Sequence, residues 1–174
     1  MSSFEEALGI AKAVNDKLTT VRKEALQKLP VVRVAAFNVL SNVVGKTVKI
    51  VELVRELERR VEVGSKGVKR FCGNWIITKD ENSVSILKLK PLRSVSYDRT
   101  SRRLSLSNDV TRLELGENSL KLVLRGREEI IEGISLDSIN SKVDVIKSLG
   151  RYLIELIDTI YDAVNLCWKS LRGI

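Results

Sequence analysis

"SVSILKLKPLRSVSYDRTSRRLSLS", residues 83–107, runs through three short stretches of alternating apolar and polar residues, parted by Pro91 and by "DRTS". A period of two, broken by turn-forming residues, is the signature of half-buried antiparallel strands. Val84 and Ile86, Val95 and Tyr97, Leu104 and Leu106 then take one face of a sheet, and Ser85, Ser94, Ser96, Ser105 and Ser107 the other. The same alternation extends from Phe71 to about Ile134, with strands expected near 69–78, 83–90, 93–98, 102–107, 110–115, 119–125 and 128–134. That is an antiparallel meander of about seven short strands, in a β domain spanning 64–135.

On either side the period lengthens to that of a helix. Ala7, Ala11, Val14, Leu18, Val21 and Ala25 recur in steps of four and three, widened by Phe4, Leu8, Leu26 and Leu29, behind a capping box of Ser3 and Glu6. Pro30 ends this helix or opens the next. Ala36, Leu40, Val43, Thr47, Ile50, Val54, Leu57 and Val61 then keep the same step, so 1–63 reads as a helical hairpin. "VGSKGVKR" reads as a linker by its glycines. Its "GSKG" lacks the spacing and the strand–helix setting of a phosphate-binding loop.

Residues 136–174 return to helix, capped by Asp137 or Ser138. Ile139, Val143, Ile146, Gly150, Leu153, Ile157, Ile160, Val164, Cys167 and Leu171 form a heptad seam thickened by Leu149 and Leu156. The fold expected is α+β: an N-terminal helical hairpin, the meander, and a long C-terminal helix packing on the hairpin, antiparallel to its second helix with the sheet at one end. The order of seven strands and one helix resembles the pleckstrin-homology-like layout over the second two-thirds of the chain. The seams at 36–61 and 139–171 are coiled-coil-like and exceed what a small β domain covers, which predicts a protein partner or a homodimer through the helices.

The chemistry on offer is narrow. The chain has no histidine, and its two cysteines, Cys72 and Cys167, lie far apart. They are expected as buried, inert thiols in a reducing cytoplasm. With no phosphate loop, dinucleotide fingerprint or nucleophile elbow, no catalytic residue, cofactor or metal ligand is expected, and the protein reads as non-enzymatic. Glu128, Glu129 and Glu132 follow one another along a strand instead of converging as metal ligands would. Glu5 and Glu6 stand where a signal peptide carries positive charge. The apolar stretch 31–44 is too short and too interrupted by Arg33, Asn38 and Asn42 for a membrane span.

Charge points to a partner. Of the net charge of +8, residues 66–103 hold 10 Lys or Arg against 3 Asp or Glu, whereas 104–174 hold 9 against 11. Lys88, Lys90, Arg93, Arg99, Arg102 and Arg103 surround Ser94, Ser96 and Ser105, and guanidinium groups beside small hydroxyls suit phosphate oxygens. These nine residues are the candidate nucleic-acid-binding site. The competing reading makes the serine face and the heptad helices the docking surfaces of a scaffold or adaptor.

Overall fold

The computed structural model of the protein describes residues 3–61, Gly64 and residues 66–172. It is α+β, with the helical hairpin, the antiparallel meander and the long C-terminal helix in the order expected. Helices α1 (Ser3–Lys28) and α2 (Val31–Val61) form the hairpin, turned at Leu29 and Pro30. Their seam positions are buried, except that Leu26 is exposed and Leu29 half-buried. The Ser3 side chain lies outside the described residues, and the Glu6 carboxylate of the expected capping box pairs with Arg99.

The sheet has eight strands in sequence order: β1 (Gly67–Phe71), β2 (Trp75–Lys79), β3 (Ser83–Lys88), β4 (Arg93–Asp98), β5 (Arg103–Ser107), β6 (Thr111–Gly116), β7 (Ser119–Leu124) and β8 (Arg127–Glu132). The extra strand comes from dividing the run expected at 69–78. Cys72 and Gly73 adopt positive φ (48° and 75°) and reverse the chain, a turn that the apolar residues on either side conceal. The second half of the expected linker, from Gly67, is therefore strand β1. Between β7 and β8, Arg125 and Gly126 both have positive φ, as a tight two-residue hairpin requires.

After the sheet, Ser135 rather than Asp137 or Ser138 caps the next helix. Its hydroxyl accepts from the Ser138 amide, and the Ser138 hydroxyl accepts from the Ser135 amide. The short helix α3 (Leu136–Asn140) breaks before α4 (Val143–Arg172). The heptad residues of α4 from Val143 to Cys167 are buried.

The orientation of α4 differs from expectation. Arg33 bonds to Asn140, Lys46 to Asp158 and Arg60 to the Leu171 carbonyl, so α2 and α4 run parallel. The reason is the path of the sheet, which lies along the helices instead of at one end of them. Glu6 of α1 meets the β4–β5 turn and Lys17 meets the β6–β7 turn, while α4 begins near β8 and reaches the β1–β2 turn at Cys167. Eight strands carry the chain about 34 Å at about 4.8 Å per spacing, and α4 spans that distance back with about 45 Å of helix. Helices α1 and α4 cover the sheet face bearing Ile77, Ile86, Val95, Leu106 and Leu113, and α2 packs on both. The heptad seams are thus largely buried within one chain.

By length and composition α2 is apolar enough to cross a membrane, but half of that window is buried in the fold. Its Thr47 hydroxyl, fully buried, donates to the Val43 carbonyl. Near its C-terminal end Glu58 accepts from the Phe4 amide and pairs with Lys79 at 2.9 Å, tying α1, α2 and β2 together. The Glu58 side chain is 3% exposed. Lys79→Met should lower stability by about 3 kcal/mol, because a buried carboxylate loses its ammonium partner. Lys66→Met, which breaks an exposed pair with Glu81, should change it by less than about 0.5 kcal/mol. Urea unfolding of the two variants checks the contrast.

Candidate nucleic-acid interface

The nine residues expected at the site do not form one patch. Lys88 and Arg93 face each other across the β3–β4 ladder and flank the turn that holds Lys90. Arg99 and Arg102 lie in the β4–β5 turn, at the other end of β4, and Arg103 starts β5. The six residues of β4 separate the two groups by about 17 Å. Side-chain alternation divides them again. Ser94, Ser96, Ser105 and Arg103 share the face away from the helices, whereas Lys88 and Arg93 share the phase of Trp75 and Val95.

The serine face is present. Ser85, Ser96 and Ser105 stand side by side on β3, β4 and β5, with Ser94 beside Ser107. The helices pack on the opposite face, so the serines are not spacers for a helix. Their row continues into Glu114 and Lys121, and the Ser105 hydroxyl donates to Glu114 at 3.3 Å. Glu114 in turn pairs with Arg112 and Lys121.

Arg99 and Arg102 are committed within the fold. The Arg99 guanidinium takes Glu6 with both Nη2 (2.8 Å) and Nε (3.3 Å), and Arg102 Nη2 takes Glu117 at 2.6 Å. The Arg99 hydrogen bond holds the Glu6 carboxyl below the ordinary carboxylate range, against the opposing effect of burial. These pairs and Lys17, bonded to the Glu117 carbonyl and Asn118, fasten the hairpin tips to α1. An open groove of about 770 Å³ remains between them, with Gly9, Ala13 and Tyr97 in its lining. Its charged lining is the paired Arg99–Glu6 and Arg102–Glu117 together with Lys17.

The other group is free of such commitments. Among the described residues, Lys88, Lys90 and Arg93 have no carboxylate within ion-pair distance. Arg93 donates only to the Leu92 carbonyl, and the nearby Asp109 carboxylate accepts from the Leu92 amide. Exposed Arg70 lies on β1 toward the same end of the sheet; it belongs to the basic segment but was hidden by the linker reading. Phe71, Trp75 and Tyr97 are at most 9% exposed, so the β region offers no aromatic platform for bases.

Beside this basic end Cys72 and Cys167 form a disulfide, with Cα atoms 5.7 Å apart, joining the β1–β2 turn to α4. This overturns the reading of two inert thiols and with it the argument for a reducing compartment. Separation in sequence concealed the pair because α4 returns the chain to β1.

The glutamates of β8 divide between faces: Glu128 meets Lys121, and Glu129 meets Arg127 and Lys142. Among the described residues no group of three His, Cys, Asp or Glu could hold a metal ion. No protein-family model, no curated protein and no solved structure matches this chain.

Proposed function

We propose that the protein is a non-enzymatic, nucleic-acid-associated factor that holds phosphates through Lys88, Lys90 and Arg93. The observation that supports this reading is the partition of the cations: Arg99 and Arg102 are paired with carboxylates, while these three surround one hairpin and are not. Unpaired lysine and arginine carry no internal electrostatic contact that a phosphate must displace, and each contact releases a condensed counterion. Buried aromatics favour contact with the sugar–phosphate backbone over base readout.

Binding to mixed-sequence duplex or single strands should therefore weaken steeply with salt. Changing Lys88, Lys90 and Arg93 together to Ser should flatten the slope of log K against log salt on duplex DNA by about 2 to 3, at about 0.9 per contact. Arg99 and Arg102 changed to Ser should do much less, as should Lys142, Lys147 and Arg151 changed to Ser. No binding at low salt to DNA or RNA would end this reading. Equal losses in all three variants would reduce it to attraction by total charge. The scaffold reading draws on a different observation, the open edges of the sheet.

A further inference from the structure

β1 and β8 each pair on one side only, so the sheet ends in two unpaired edges. Such an edge is a template for another strand, which charged side chains either repel or select. Here the two edges carry opposite charge in their residues, although Lys66 also pairs with Glu81, Glu128 with Lys121, and Glu129 with Arg127 and Lys142 within the chain. Lys66, Lys69 and Arg70 lie on or beside β1, and Glu128, Glu129 and Glu132 lie on β8 with one cation, Arg127. Val68 and Ile130 are 69% and 44% exposed, placing one large aliphatic residue in the open on each edge.

The backbone phase of the two edges also matches. In the turns of the meander, even-numbered residues direct their backbone bonds to the following strand: Asp80 to Ser83, Asn108 to Thr111, and Asn82 accepting from Arg99. Carried through the strand registers, this phase turns the amides and carbonyls of Val68 and Arg70 on β1, and of Glu128 and Ile130 on β8, away from the sheet. Among the described residues no hydrogen bond reaches these outward groups. Because eight strands alternate in direction, β8 of one copy and β1 of a similarly oriented copy meet antiparallel. Setting Val68 opposite Ile130 then sets Arg70 opposite Glu128 and Lys66 opposite Glu132. Both members of each pair are even-numbered, so bonding groups face each other and the side chains share one face.

We propose that the β1 edge of one copy pairs with the β8 edge of another in this register, extending the sheet head to tail. Like edges repel, so a symmetric β1–β1 or β8–β8 dimer is disfavoured, and the contact propagates or closes a ring. Sedimentation velocity over a concentration series, without nucleic acid, should show mass rising beyond a dimer. Arg70→Glu and Glu128→Arg should each weaken association by roughly tenfold or more, since like charges then stand opposite. The double variant should recover it. An equimolar mixture of the two single variants should recover it too, because every edge then meets an opposite charge. Circular dichroism of each variant reports that the fold is kept.

A monomer at all concentrations overturns the proposal, as does a double variant that stays dissociated. Sensitivity to only one of the two single changes also overturns it, in favour of a symmetric dimer. None of these results touches the phosphate reading, which rests on other residues and is measured by nucleic-acid binding.

Discussion

Replacing Leu153 and Ile157 together by Asp abolishes the cooperative thermal transition and the near-ultraviolet circular dichroism of the protein. Both side chains are 1% exposed, on the buried face of α4. The substitution removes two aliphatic groups worth about 2 to 5 kcal/mol each when truncated in a core. It also places two carboxylates where ionisation carries an effective penalty of several kcal/mol apiece. Against a domain stability of about 5 to 15 kcal/mol the combined loss is decisive. An unchanged melt with unchanged mass would mean that α4 does not bury this face. Ile154→Asp on the same helix, at an exposed position, should leave the transition in place and serves as the control.

Reduction of the Cys72–Cys167 bond lowers the melting temperature by about 10 to 20 °C without changing the strand and helix content. The bond closes a loop with a sequence separation of 95. Loop-closure entropy for about 100 residues corresponds to about 4.7 kcal/mol, and a chain of this length shifts by about 2 to 4 °C per kcal/mol. Secondary structure survives because the seam of Ile and Leu on α4 holds the helix independently of the bond. Thermal melts with and without reductant, and of the double Cys→Ser variant, measure the effect. Thiol titration of the unreduced protein should find no free cysteine. A melting temperature insensitive to reductant, with the bond shown to be broken, would mean that the cross-link does not constrain the unfolded chain.

The chain itself determined its local geometry. Alternation through Val84, Val95 and Leu104 marks strands, and the four-and-three rhythm of α1, α2 and α4 marks helices, because burial on one face imprints the period of each element on its apolar residues. The serine face followed from the same parity and stands where it was expected. The short turn at Cys72 and Gly73 leaves no mark in that parity, because the apolar residues on both sides continue the strand pattern.

Relations between distant elements were decided only in three dimensions. The parallel course of α2 and α4, the Cys72–Cys167 bond and the pairing of Arg99 with Glu6 all depend on the sheet running lengthwise along the helices. No local period encodes that direction. The cations of 66–103 form one cluster along the chain, but β4 carries them to opposite ends of the sheet, where acids pair with Arg99 and Arg102 and not with Lys88, Lys90 or Arg93. Charge is additive along a sequence, whereas the field a ligand meets depends on which opposite charges the fold brings alongside.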